Sequence, residues 1–175
     1  MGIVVRKPGR GRVVLQKRVN QNPRKGLTLR MMLEANKKAR IPTVNMPTLR
    51  ILEMVRGQVR NVQRRTKHDG YLFKVRDSVR TTPRDPIKKH VVNVMFQDPI
   101  EKTAGIRMSN RNINLFVSCS CEFFMFVCEY ALTHYGASYI KYSNGDPPLT
   151  TNPSLFPLGC KHVHLCLLTI QRKGL

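Results

Sequence analysis

The sequence has no tryptophan, and its first 67 residues contain no aromatic residue of any kind. Base stacking, which single-strand binders use, therefore has no support in that region. Acidic residues are scarce as well: ten Asp and Glu stand against 31 Lys and Arg, a formal charge of +21 on 175 residues. An ordinary enzyme surface carries no such imbalance. A charge that large repels itself unless an anion lies close by, so nucleic acid or acidic protein surfaces are the expected partners. No apolar run approaches the roughly 20 residues of a membrane span, so no membrane partner is expected. The opening stretch MGIVVRKPGRGRVVLQKR lacks the long apolar region of a secretory signal. Cysteine is sparse too. Five cysteines, an odd number, with no secretory signal point to reduced thiols or a metal site rather than a disulfide framework.

The charge is unevenly spread. Residues 1–67 hold 18 Lys and Arg against Glu34 and Glu53, a net +16. Residues 110–170 hold Arg111, Lys141 and Lys161 against Glu122, Glu129 and Asp146, a net of zero. The chain thus reads as a basic arm joined to a nearly neutral module. Residues 1–30 cannot alone bury enough apolar surface to offset their ordering entropy. The arm is therefore expected to lie against neighbouring subunits or along nucleic acid, with Arg6, Lys7, Arg10, Arg12, Lys17 and Arg18 as its anion contacts.

Residues 27–40 read as a short helix that stops before Pro42. Pro47 then opens PTLRILEMVRGQVRNVQRRT, in which Leu52, Val55, Val59 and Val62 fall at helical spacing. Arg56, Arg60 and Arg64 form a second stripe on that expected helix and are candidate anion contacts. From Asp69-Gly70 onward the period changes to two. Tyr71, Phe73 and Val75 mark one strand, KKHVVNVMF (88–96) a second and NINLFVSCSCEFFMF (112–126) a third. A helix is expected in VCEYALTHYG, a short strand in SYIKYSNG, an irregular loop in the proline-rich DPPLTTNPSLFPLG, and a closing helix in CKHVHLCLLTIQR. The expected fold is α+β, in three parts: a basic arm with a short helix (1–46), an amphipathic basic helix (47–67), and an α+β module (68–175) with a small antiparallel sheet.

Two motifs carry the chemistry. Cys119-x-Cys121 sits on a strand edge and Cys160-x-His162 at a helix start. Residues i and i+2 of a strand project to one face, so the first motif presents two sulfurs together. Three thiolates and one imidazole suit tetrahedral zinc in a closed, structural site. One histidine among four donors favours zinc over an iron–sulfur cluster. Cys128, His164 and Cys166 remain alternative donors, and buried free cysteines are the plainer reading.

The order strand, Cys-x-Cys, loop, Cys-x-His, helix resembles the SWIM-type zinc-binding module over residues 88–170. The resemblance implies that Cys119, Cys121, Cys160 and His162 bind the metal, and that the module mediates contact with nucleic acid or protein. The gap of 38 residues between the pairs is longer than in that family. The run from CSCEFF to LGCKH is also similar to small proteins of tailed bacteriophages, which implies a virion component. Cys160 and His162 as a catalytic thiolate pair would need an oxyanion hole and a base brought from a separate segment, and neither is legible. KPGRGR is not a phosphate loop, since no strand precedes it and no helix follows. The expectation is a non-enzymatic structural component of a large assembly, a tailed-phage virion, stapled by structural Zn2+. The alternative is a nucleic-acid-binding zinc protein of the packaged-DNA or ribosomal type, in the host cytoplasm.

Overall fold

A computed structural model describes residues 26–39, 49–61, 66–77, 88–139, 147–148 and 150–175. The elements are β1 (Leu27–Thr28), α1 (Leu29–Lys38), β2 (Leu49–Asn61), β3 (Thr66–Asp77), β4 (Lys89–Phe96), the single turn α2 (Ile100–Thr103) and β5 (Asn114–Cys119). A π-helical turn at Phe124–Cys128 leads into α3 (Glu129–His134), and α4 (Lys161–Lys173) follows the proline-rich loop. The strands form one antiparallel sheet in the order β1-β5-β4-β3-β2, which bears out the α+β expectation.

One sheet face is the core. Tyr71, Phe73 and Val75 on β3, Val92, Val94 and Phe96 on β4, and Leu115 and Val117 on β5 alternate inward, as their period of two requires. Leu29 and Met32 of α1 and Val163, Leu167 and Ile170 of α4 belong to the same buried cluster. Each large side chain buried in this way contributes about 1.5–3 kcal/mol. The opposite face is split. Met95, Phe116 and Tyr139 make a second small core on it, with the ring of buried His68 edge-on to Phe116 at 5.3 Å. Further along, Val55 and Val91 of the same face remain exposed.

The helix expected over residues 47–67 is not there: Leu49–Asn61 is the edge strand β2. The first step of the apolar spacing that reads as helical, Leu52 to Val55, starts at a bulge. The register shifts between Ile51 and Glu53, so Ile51 pairs with Val75 and Met54 with Phe73, both on the core face. Leu52 is the extra residue, and an inserted residue turns an alternating pattern into three-and-four spacing. Leu52 and Val55, two of the four apolar residues at helical spacing, are 48% and 45% exposed. Arg56 and Arg60 still share a face, because a step of four is even and a strand returns to the same side every two residues.

The third strand is shorter than expected. It ends at Cys119, and helical backbone takes over from Glu122. Of the short strand expected from Ser138, the described residues show a parallel bridge between Ser138 and Val117, and residues 140–145 lie outside the described residues. The expected contacts Arg6, Lys7, Arg10, Arg12, Lys17, Arg18 and Arg64 lie outside the described residues.

Candidate metal centre

β5 delivers Cys119 at its last position, and the chain then turns into the following helix with Cys121 at the start. The Cys121 Sγ accepts the Phe124 N–H at 3.4 Å. Cys160 is the N-cap of α4, and its Sγ accepts the Val163 N–H at 3.5 Å. Two of the three sulfurs therefore sit at helix N-termini and accept amide protons, an environment that stabilises thiolate. The turn after β5, rather than strand periodicity, brings Cys119 and Cys121 together.

His162 lies in the first turn of α4 and directs Nδ1 at the sulfurs, 3.8 Å from the Cys119 Sγ and 3.8 Å from the Cys160 Sγ. The four donor atoms of Cys119, Cys121, Cys160 and His162 all lie within 4.8 Å of one another, and all four residues are buried. Tetrahedral zinc with ordinary Zn–S and Zn–N bonds spaces its ligand atoms about 3.6–3.8 Å apart. The donor set thus fits a tetrahedral ion in kind, in spacing and in its closure from solvent. Cys128, Cys166 and His164 stand outside this cluster. Cys128 and Cys166 are wholly buried in the main hydrophobic core, and the His164 Nδ1 pairs with the Asn36 Nδ2 at 3.0 Å.

The thiols do not titrate independently. Hydrogen bonds from Cys119 and Cys160 hold Cys121 as a thiolate far below the ordinary range. Cys119 is pushed up by its hydrogen bond to Cys121, and Cys160 by its burial. A dication at their centre would favour the ionised form of all three sulfurs.

Beyond the ligands stands a polar layer. The His162 Nε2 is buried, has no hydrogen-bond partner, and faces the Asp77 Oδ2 at 3.7 Å. The Lys161 Nζ holds that same carboxylate oxygen at 2.5 Å. The His90 ring lies against His162 with centroids 4.3 Å apart, and burial followed by the His162 charge lowers the His90 pKa. Asp77, His90 and His162 have donor atoms close enough to form a second cation cluster. Lys161 already supplies the positive charge there.

From the other side, Asn36 of α1 braces the entry to α4. Its Oδ1 accepts the Gly159 N–H at 2.8 Å, one residue before Cys160. A side chain at Gly159 would meet the Val163 Cγ1 at 2.8 Å, so the close approach needs glycine. The proline-rich loop is anchored by Asn152, whose Nδ2 donates to the Val127 and Phe156 carbonyls at 3.3 and 2.9 Å. Sequence reasoning singled out all four residues of the cluster and missed Asp77, His90 and Asn36. A lone Asp, His or Asn 70 or more residues from its partner leaves no local pattern.

No protein-family model matches this chain. Neither the curated proteins nor the solved structures include a match.

Proposed function

We propose that this protein is a non-enzymatic structural component of a large assembly, its C-terminal half held by one structural zinc ion. The observation that carries this reading is the closed donor set: Cys119, Cys121, Cys160 and His162 are each no more than 6% exposed. Catalytic zinc keeps a coordination position open to substrate, whereas a four-donor buried set leaves none. Zinc at this point would tie together three segments that also share the main core: the end of β5, the helix after it and the start of α4. Because such a site does not exist in the unfolded chain, its binding free energy is folding free energy. A basic N-terminal region on a stapled module suits a subunit that docks on acidic neighbours. The tailed-phage virion is the finer form of the proposal, supported by the sequence resemblance.

The test is elemental analysis of the purified protein beside Cys119→Ser. The expected result is about one zinc per chain in the wild type, with loss of zinc and of α4 amide protection in the variant. A folded wild-type protein free of zinc overturns the reading.

A second reading, contact with nucleic acid, is favoured by the sheet register. Arg60 pairs directly with Lys67 across β2 and β3, and Arg50 with Arg76. Like charges placed opposite one another destabilise a sheet that has no anion against it.

A further inference from the structure

Three strands of the sheet end in a row of like charge. Arg50 on β2 pairs with Arg76 on β3, and Arg76 pairs in turn with Lys89 on β4. Directly paired residues project from the same face, so the three cations stand side by side at the strand spacing of about 4.8 Å. The face is the one turned away from α1 and α4. Its next rank is Glu53, Lys74 and Val91, and this end of it is exposed.

The acids of these three strands are engaged elsewhere. β2, β3 and β4 contain three carboxylates in all: Glu53, Asp69 and Asp77. Glu53 is paired with Lys74 at 2.6 Å, Asp69 with Arg56 at 2.8 Å and Asp77 with Lys161 at 2.5 Å. Among the described residues, Arg50, Arg76 and Lys89 have no ion-pair partner, and the buried Arg76 Nε has no hydrogen-bond acceptor. The sheet thus spends stability on a straight, uncompensated line of cations. Surface charges placed by chance scatter; a local rule broken twice in register, at Arg50–Arg76 and Arg76–Lys89, marks a functional surface.

We propose that the Arg50–Arg76–Lys89 row is a docking surface for the phosphate backbone of nucleic acid. It rests on the second reading above and gives that reading a site. A linear polyanion matches a linear row, and arginine presents a planar fork that binds phosphate oxygens in pairs. Among the described residues the row itself and its next rank of Glu53, Lys74 and Val91 hold no aromatic ring, so the proposed contact is to the backbone and carries no base readout.

The experiment uses the full chain and a labelled 20-base-pair duplex DNA, titrated over a range of salt. Three variants are compared with the wild type: Arg76→Gln, the triple variant Arg50→Gln/Arg76→Gln/Lys89→Gln, and a control, Lys37→Gln/Lys38→Gln/Arg172→Gln. The control removes the same charge from exposed positions on α1 and α4. In the row variant the slope of log affinity against log salt is expected to fall in magnitude by about 2.7, three phosphates at about 0.9 each, and by less than 1 in the control. Removing the repulsion is expected to raise the unfolding midpoint of the free protein by about 1–4 °C. Arg76→Gln, which relieves both pairs at once, should show part of each effect. Equal slopes in both triple variants would mean that net charge alone drives binding, and would overturn the site. So would an unchanged slope with binding to polyglutamate lost, which would make the row a docking surface for acidic protein. Because zinc content is measured separately, failure here leaves the metal centre standing, and the reverse holds as well.

Discussion

Asn36 accepts the Gly159 N–H at 2.8 Å across 123 residues of sequence, and so joins the N-terminal helix to the residue that precedes Cys160. The same amide donates to His164. With its oxygen taken by Gly159, its nitrogen must face the His164 Nδ1 as a donor, which sets His164 neutral with its proton on Nε2. One buried side chain thus links the N-terminal helix to both Gly159 and His164, on either side of Cys160 and His162.

Replacing Asn36 with Leu leaves the Gly159 amide and the His164 nitrogen without partners in a buried place. The expected cost is about 1–3 kcal/mol of stability, read as a lower urea midpoint at unchanged slope. Zinc affinity should fall with it, because Cys160 loses the brace that sets its position. A midpoint equal to the wild type would mean that water satisfies both groups and that α1 does not brace the site.

Asp77→Asn addresses the layer behind the ligands. A metal-bound histidine ordinarily gives its other ring N–H to a carboxylate, which fixes the tautomer and strengthens the ligand. The Asp77 Oδ2 at 3.7 Å from the His162 Nε2 is the group in place for that role. The variant should bind zinc about 10–100-fold more weakly in competition with a chelator of known affinity. An affinity equal to the wild type would limit Asp77 to its ion pair with Lys161.

The His164 environment gives stability a pH dependence of definite sign. Burial holds the His164 pKa below its ordinary value. The unfolded chain therefore takes up this proton before the folded chain does. Its contribution is full above about pH 6.5 and is lost as pH falls from there through the folded pKa, so stability rises with pH across that window. Stability should be measured with zinc saturating, in the wild type and in His164→Gln. The variant should have the shallower slope below pH 6.5; equal slopes would assign the acid sensitivity to the metal ligands instead.

Much of this protein is determined by residue type alone. The charge of +21, the four sulfur and nitrogen donors, the alternation of Tyr71, Phe73 and Val75, and the helices at Leu29–Lys38 and Lys161–Lys173 are all local features. They need no knowledge of what packs against them. Tertiary structure decided the rest. A spacing of three and four reads the same in a helix as in a strand with a bulge, and only the pairing of Ile51 with Val75 and Met54 with Phe73 makes β2 a strand. Cys119 and Cys121 converge through the turn by which the chain leaves the sheet after Ser120, which still donates to the Val91 carbonyl. Asp77, Asn36 and the Arg50–Arg76–Lys89 row act through register and long-range contact. These relations join residues far apart in the chain, and no local period records them.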